Sequence, residues 1–68
     1  MTPEAAKNIA DHLRERARDC MREAASNLRA GDAVATIRPT SMANAYEYAA
    51  GLIDRIEADA LEQAEAAP

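Results

Sequence analysis

The chain has 68 residues, 49 % of them hydrophobic, and a formal net charge of −4. That acidic balance excludes association driven by an unopposed basic surface, whether with nucleic acid or with an anionic membrane. The single cysteine, Cys20, excludes an intramolecular disulfide, and with alanine supplying much of the apolar content and only Tyr46 and Tyr48 as aromatics, one small domain over residues 1–68 is the upper limit.

Thr2-Pro3-Glu4 is a helix start. Thr2 can cap, Pro3 suits the first helical position, and Glu4 sits where the helix dipole favours an acid. From there Ala6, Ile9, Leu13, Ala17, Cys20, Ala24 and Leu28 recur every three or four residues, with Ala10 and Met21 widening the stripe. The spacing predicts a helix over residues 3–30, with Gly31 as its left-handed terminator.

Residues 31–40 read as a connector. Val34 and Ile37 give it apolar side chains with which to pack over the hairpin end, and Pro39 disfavours helix at Arg38. Thr40 or Ser41 then caps a second helix over residues 41–66. Met42, Tyr46, Ala49, Ile53, Ile56, Ala60 and Gln63 follow the alternating four-three rhythm of a coiled-coil seam. Gly51 falls off that seam, and the tail from Gln63 is expected to fray.

The fold class expected is therefore all-α, a two-helix antiparallel hairpin. With one shared seam it has little interior of its own, so dimerisation into a four-helix bundle is the expected remedy. In a simple hairpin, positions whose numbers sum to about 70 lie level. That register pairs Leu28 with Met42, Ala24 with Tyr46, Cys20 and Met21 with Ala49, Ala17 with Ile53, and Leu13 with Ile56. It also sets a basic stripe of Lys7, Arg14, Arg18, Arg22 and Arg29 against Glu47, Asp54 and Glu57, with Arg22 near Glu47, Arg18 near Asp54 and Arg14 near Glu57. Exposed pairs of this kind fix orientation more than they stabilise.

A second apolar edge remains after the first seam is closed. Ala45, Tyr48, Leu52 and Ile56 recur along helix two, next to Ile9, Arg16 and Cys20 on helix one. Tyr48, Leu52, Ala45 and Ile9 form the expected dimer or partner interface, with Arg16 and Arg55 at its rim and Arg38 exposed in the connector.

No residue set reads as an active site, and no cofactor is implied. His12, Glu15 and Asp19 form an i, i+3, i+7 line on the charged face, but the inward Glu-x-x-His pattern of di-iron bundles is missing. Cys20 faces the seam as a small hydrophobe, and His12 lies two turns away, too far to activate it. Gly31-Asp32 is an isolated turn signal rather than a phosphate loop. The Arg14, Arg18 and Arg22 stripe is the alternative, a nucleic-acid surface. Glu4-Lys7, Asp11-Arg14, Glu15-Arg18 and Asp19-Arg22 neutralise it locally, and no exposed aromatic platform interleaves with it.

Met1-Thr2-Pro3-Glu4 lacks the basic region and apolar core of a secretory signal. The longest uncharged stretch, Pro39 to Tyr46, is too short to span a bilayer. A cytoplasmic protein that touches no membrane is expected.

The helix–turn–helix plan resembles the helical-hairpin dimers typified by the plasmid regulator Rop, which implies an antiparallel four-helix bundle and binding to paired RNA loops. The Asp32–Pro39 connector is longer than in that plan, and the arginine stripe here is neutralised. The short, acidic, Ala/Arg/Glu-rich chain also resembles, in size and style, the helical accessory proteins by which phages inhibit host proteins. That second resemblance implies a homodimeric protein-binding module that occludes a host protein such as a transcription regulator. The remaining expectation is a purely structural oligomerisation element.

Overall fold

In a computed structural model of the chain, which describes residues 2–66, two long helices fold back on each other. Helix α1 spans Pro3–Arg29 and helix α2 spans Ile37–Ala66, with a single 3-10 turn, Val34–Thr36, leading into α2. The hairpin is a rod of 60 × 16 × 12 Å. Among the described residues no helix is long and apolar enough to cross a membrane.

The start of α1 follows from its sequence. The Thr2 hydroxyl accepts a hydrogen bond from the Ala5 N–H at 3.1 Å, and Pro3 occupies the first helical position. At the other end Gly31 takes φ +82°, its N–H donates to the Leu28 carbonyl, and the Asp32 N–H donates to the Asn27 carbonyl. Those two bonds make a Schellman cap, which satisfies carbonyls that would otherwise be left without partners.

The connector differs from expectation. The second helix begins at Ile37 rather than residue 41, so Thr40 and Ser41 do not cap it, and the side chain that bonds the 3-10 turn ahead of it is Asp32. Its carboxylate accepts from the Ala35 N–H at 3.1 Å, and the Thr36 hydroxyl closes on the Ala33 carbonyl at 2.6 Å. Pro39 is tolerated in the first turn because backbone N–H groups there have no intrahelical acceptor to lose. The Ala35 carbonyl, four residues before Pro39, instead accepts from the Asn27 side chain at 3.0 Å. Val34 and Ile37 do not pack over the hairpin end and are 77 % and 65 % exposed. Helix α2 runs on through Ala66, so the fraying expected from Gln63 is not seen there; Ala67 and Pro68 lie outside the described residues.

Turning earlier shifts the register. Ala17, Cys20 and Ala43 form one buried cluster with Tyr46 against it, Asn27 bonds Ala35, and Arg16 lies over Tyr46. Positions that sum to about 63, not 70, are therefore level. The seam consists of Ala6, Ala10, Leu13, Ala17, Cys20, Ala24 and Asn27 on α1 and Pro39, Ala43, Tyr46, Ala50, Ile53 and Glu57 on α2, all buried or half-buried. Both runs keep strict four-three spacing. Ala10 meets Ile53, Leu13 meets Ala50, and Ala17 meets Tyr46, so each large side chain faces a small one. That alternation lets two helices interdigitate closely.

The expected pairs Leu28–Met42, Ala24–Tyr46, Cys20–Ala49, Ala17–Ile53 and Leu13–Ile56 are thus not level. Ile9, Met21, Leu28, Met42 and Ile56, expected in the seam, are all exposed. Gly51 does point away from α1, with nothing within 4 Å of where a Cβ would stand. The fully buried set contains no side chain larger than Cys20 apart from Pro39.

Candidate interaction surface

Because the fully closed part of the interior is built mainly from alanine, most of the large apolar side chains are outside, with Leu13, Tyr46 and Ile53 half-buried in the seam. Helix α2 carries a second four-three run immediately beside its buried seam: Met42, Ala45, Ala49, Leu52 and Ile56. In a coiled-coil helix such positions form a stripe about a third of a turn from the inner one. Met42 and Leu52 are exposed at the edge, Ile56 is 66 % exposed, and Tyr48, just outside the stripe, is 71 % exposed. On α1, Ile9 is 43 % exposed and lies on the same side of the rod.

The expected interface residues Tyr48, Leu52, Ala45 and Ile9 are therefore all at the surface along one side. Cys20, expected to face the seam beside that edge, is buried in one cluster with Ala17 and Ala43. Arg16 reaches across the seam, with its guanidinium carbon 6.0 Å from the centre of the Tyr46 ring. The Tyr46 side chain raises the Arg16 pKa, and the cation lies where the stripe meets α1. Arg38 and Arg55 are exposed at the margins, Arg38 in the first turn of α2 rather than in a connector. Sequence reasoning missed Met42 as part of this surface by placing it in the seam. Its position four residues before Tyr46 fits either face, and only the start of α2 decides between them.

The opposite side of the rod is charged. Arg14 pairs with Asp54 across the seam, and the hydrogen bond to Asp54 raises the Arg14 pKa, with Glu47 and Asp11 adding to it. Arg22 pairs with Asp19 one turn before it on α1. The expected partners differ: Arg14 takes Asp54 in place of Glu57, Arg18 does not pair with Asp54, and Arg22 lines a shallow groove with Arg18, Met21 and Glu47 without bridging to Glu47. Two of the three arginines proposed to grip phosphate are thus already engaged by carboxylates.

His12, Glu15 and Asp19 are exposed, and no three metal-ligating side chains converge among the described residues. Where α2 continues past the start of α1, Pro3, Ala6, Ile53, Ile56, Ala60 and Leu61 border an open apolar cleft of about 450 Å³ that runs into the lower end of the stripe.

The protomer exposes 5186 Å². A compact folded monomer of its 7.3 kDa mass exposes roughly 4,200 Å². The excess, about 1,000 Å², is spread over the whole length of the 60 × 16 × 12 Å rod.

No protein family, curated protein or solved structure matches the chain.

Proposed function

We propose that this chain is a protein-binding module. A rigid helical hairpin presents the Met42–Ile56 stripe to another polypeptide and acts by covering a surface, as a modulator or inhibitor of the protein it engages. It works in a self-associated form, and it carries out no chemistry of its own. The observation that carries this reading is the inversion of the apolar side chains. The most buried positions of the inner seam are chiefly alanines, with Leu13, Tyr46 and Ile53 half-buried among them, while Ile9, Met42, Tyr48, Leu52 and Ile56 are exposed. Contiguous exposed apolar surface rimmed by charge marks contact with protein or membrane. The acidic balance of the chain disfavours an anionic bilayer. The engaged state of Arg14 and Arg22 argues likewise against phosphate binding.

The test is the double variant Tyr48→Ala/Leu52→Ala. It should lose self-association and partner capture while far-UV circular dichroism at low temperature keeps its helical content, since neither residue contributes to the buried seam. If the variant sediments as wild type and recovers the same partner, the stripe is not the working surface. A salt series separates this reading from a nucleic-acid regulator. Phosphate binding weakens steeply with salt, whereas apolar docking does not.

A further inference from the structure

We infer that the occupant of the α2 stripe is a second copy of this chain, with α2 packed antiparallel against the partner's α2 about a twofold axis between residues 50 and 51. The inference rests on the protein-binding reading above and specifies that the polypeptide the stripe receives is a second copy, so that a further protein would be engaged by the surface the dimer leaves open.

Three observations point to a second copy in this orientation. The stripe Met42, Ala45, Ala49, Leu52, Ile56 keeps the same four-three spacing as the buried seam, so it can form a second knobs-into-holes seam with another helix. When positions summing to about 101 are set level, Ala45 meets the partner's Ile56 and Ala49 meets the partner's Leu52. Leu52 and Ile56 thus each oppose an alanine, as large side chains do in the hairpin's own seam, while Met42 comes level with the partner's Asp59. Because the relation is symmetric, both halves of the interface gain the same fit from one sequence.

The ends of the stripe carry opposite charge. Arg38 lies one turn before Met42, while Asp59 and Glu62 lie within two turns after Ile56. All three are exposed, and none is in an ion pair among the described residues. An antiparallel register sets Arg38 within about one turn of both the partner's Asp59 and the partner's Glu62, twice over. A parallel register would instead put Arg38 beside the partner's Arg38. Along the rim, Tyr48 comes near the partner's Arg55, a pairing of aromatic and cation.

The experiment uses the full chain. In a Cys20→Ala background, Ser41→Cys carries a spin label outside both seams. The antiparallel dimer sets the two labels about 30 Å apart by helical rise, and a parallel dimer sets them within roughly 20 Å of each other. In the unlabelled chain, Arg38→Glu should weaken dimerisation by about tenfold through like-charge contact with the partner's acids. Adding Glu62→Arg to Arg38→Glu should recover most of that loss.

A label separation near 30 Å together with this loss and recovery supports the arrangement. A short separation, or a dimer indifferent to the charge at position 38, overturns the α2 register while leaving the protein-binding reading intact. A monomer that still captures a partner through Tyr48 and Leu52 overturns the second copy as occupant and the self-associated form, but keeps the stripe as a protein-binding surface. A monomer that captures nothing overturns both.

Discussion

Helix α2 presents two runs of the same periodicity on adjacent faces, and the fold buries the one with the smaller side chains. The inner run has Ala43 and Ala50 between Tyr46 and Ile53. The outer run has Met42, Leu52 and Ile56 around Ala45 and Ala49. By apolar area alone the outer run is at least the equal of the inner one. What selects the inner run is α1, which offers alanines at 6, 10, 17 and 24, and the Asp32 and Asn27 contacts that fix where α2 begins. Shape complementarity and the turn decide which face closes. The larger side chains left outside become the surface available to another chain.

The strongest way to break this comparison is to enlarge the inner seam. Ala50 is 0 % exposed and level with Leu13. Ala50→Leu should therefore destabilise the hairpin by about 1–3 kcal/mol through overpacking, read as a lower denaturation midpoint in urea. Ala45→Leu on the outer run, although the same substitution in the same helix, should leave the protomer's own stability nearly unchanged. Equal effects at the two sites would mean that the inner seam is not the tightly packed one.

Much of the fold was legible in the chain. Thr2-Pro3 and Gly31 give the bounds of α1 to within a residue, and the periodicity gives two helices and their antiparallel return. The rotation of the seam was not legible. Pro39 reads locally as a barrier to helix, yet at the third position of a helix it has no hydrogen bond to lose. The contact that makes this start workable, Asn27 with the Ala35 carbonyl, spans the turn and leaves no local pattern. Starting α2 four residues early moves Met42 and Ile56 out of the seam and brings Ala43 and Ala50 in. Tyr48 is exposed in either register because it lies well round the helix from α1, and Leu52 stays at the exposed edge of the seam. Cys20 is in the seam in either register.

The turn can be tested directly. Asp32→Ala removes the carboxylate that accepts from the Ala35 N–H and should cost about 1 kcal/mol, the usual worth of a helix cap. Because the cap fixes the register as well as the helix start, this variant should also loosen the inner seam near Cys20. The Cys20 thiol, buried in the wild type, should then react faster with a thiol reagent under native conditions. A stability loss with no change in thiol reactivity would show that Asp32 caps the helix without setting the register.

The smallest effect belongs to the charged side of the rod. Arg14 and Asp54 meet across the seam with both side chains substantially exposed, 34 % and 50 %, so solvent and salt screen the pair. Asp54→Asn should lower stability by less than the loss of the Asp32 cap, and the difference from wild type should vanish in about 1 M salt, where the screening length is ~3 Å. The Arg14 pKa is raised in the folded chain, with Asp54 the main cause. Its contribution is therefore fully present below the ordinary guanidinium range and is lost only as pH rises through that range, which leaves salt rather than alkali as the practical probe. A loss that persists unchanged at high salt would mean that Asp54 acts by packing, and the two sides of the rod would then differ less than their charges suggest.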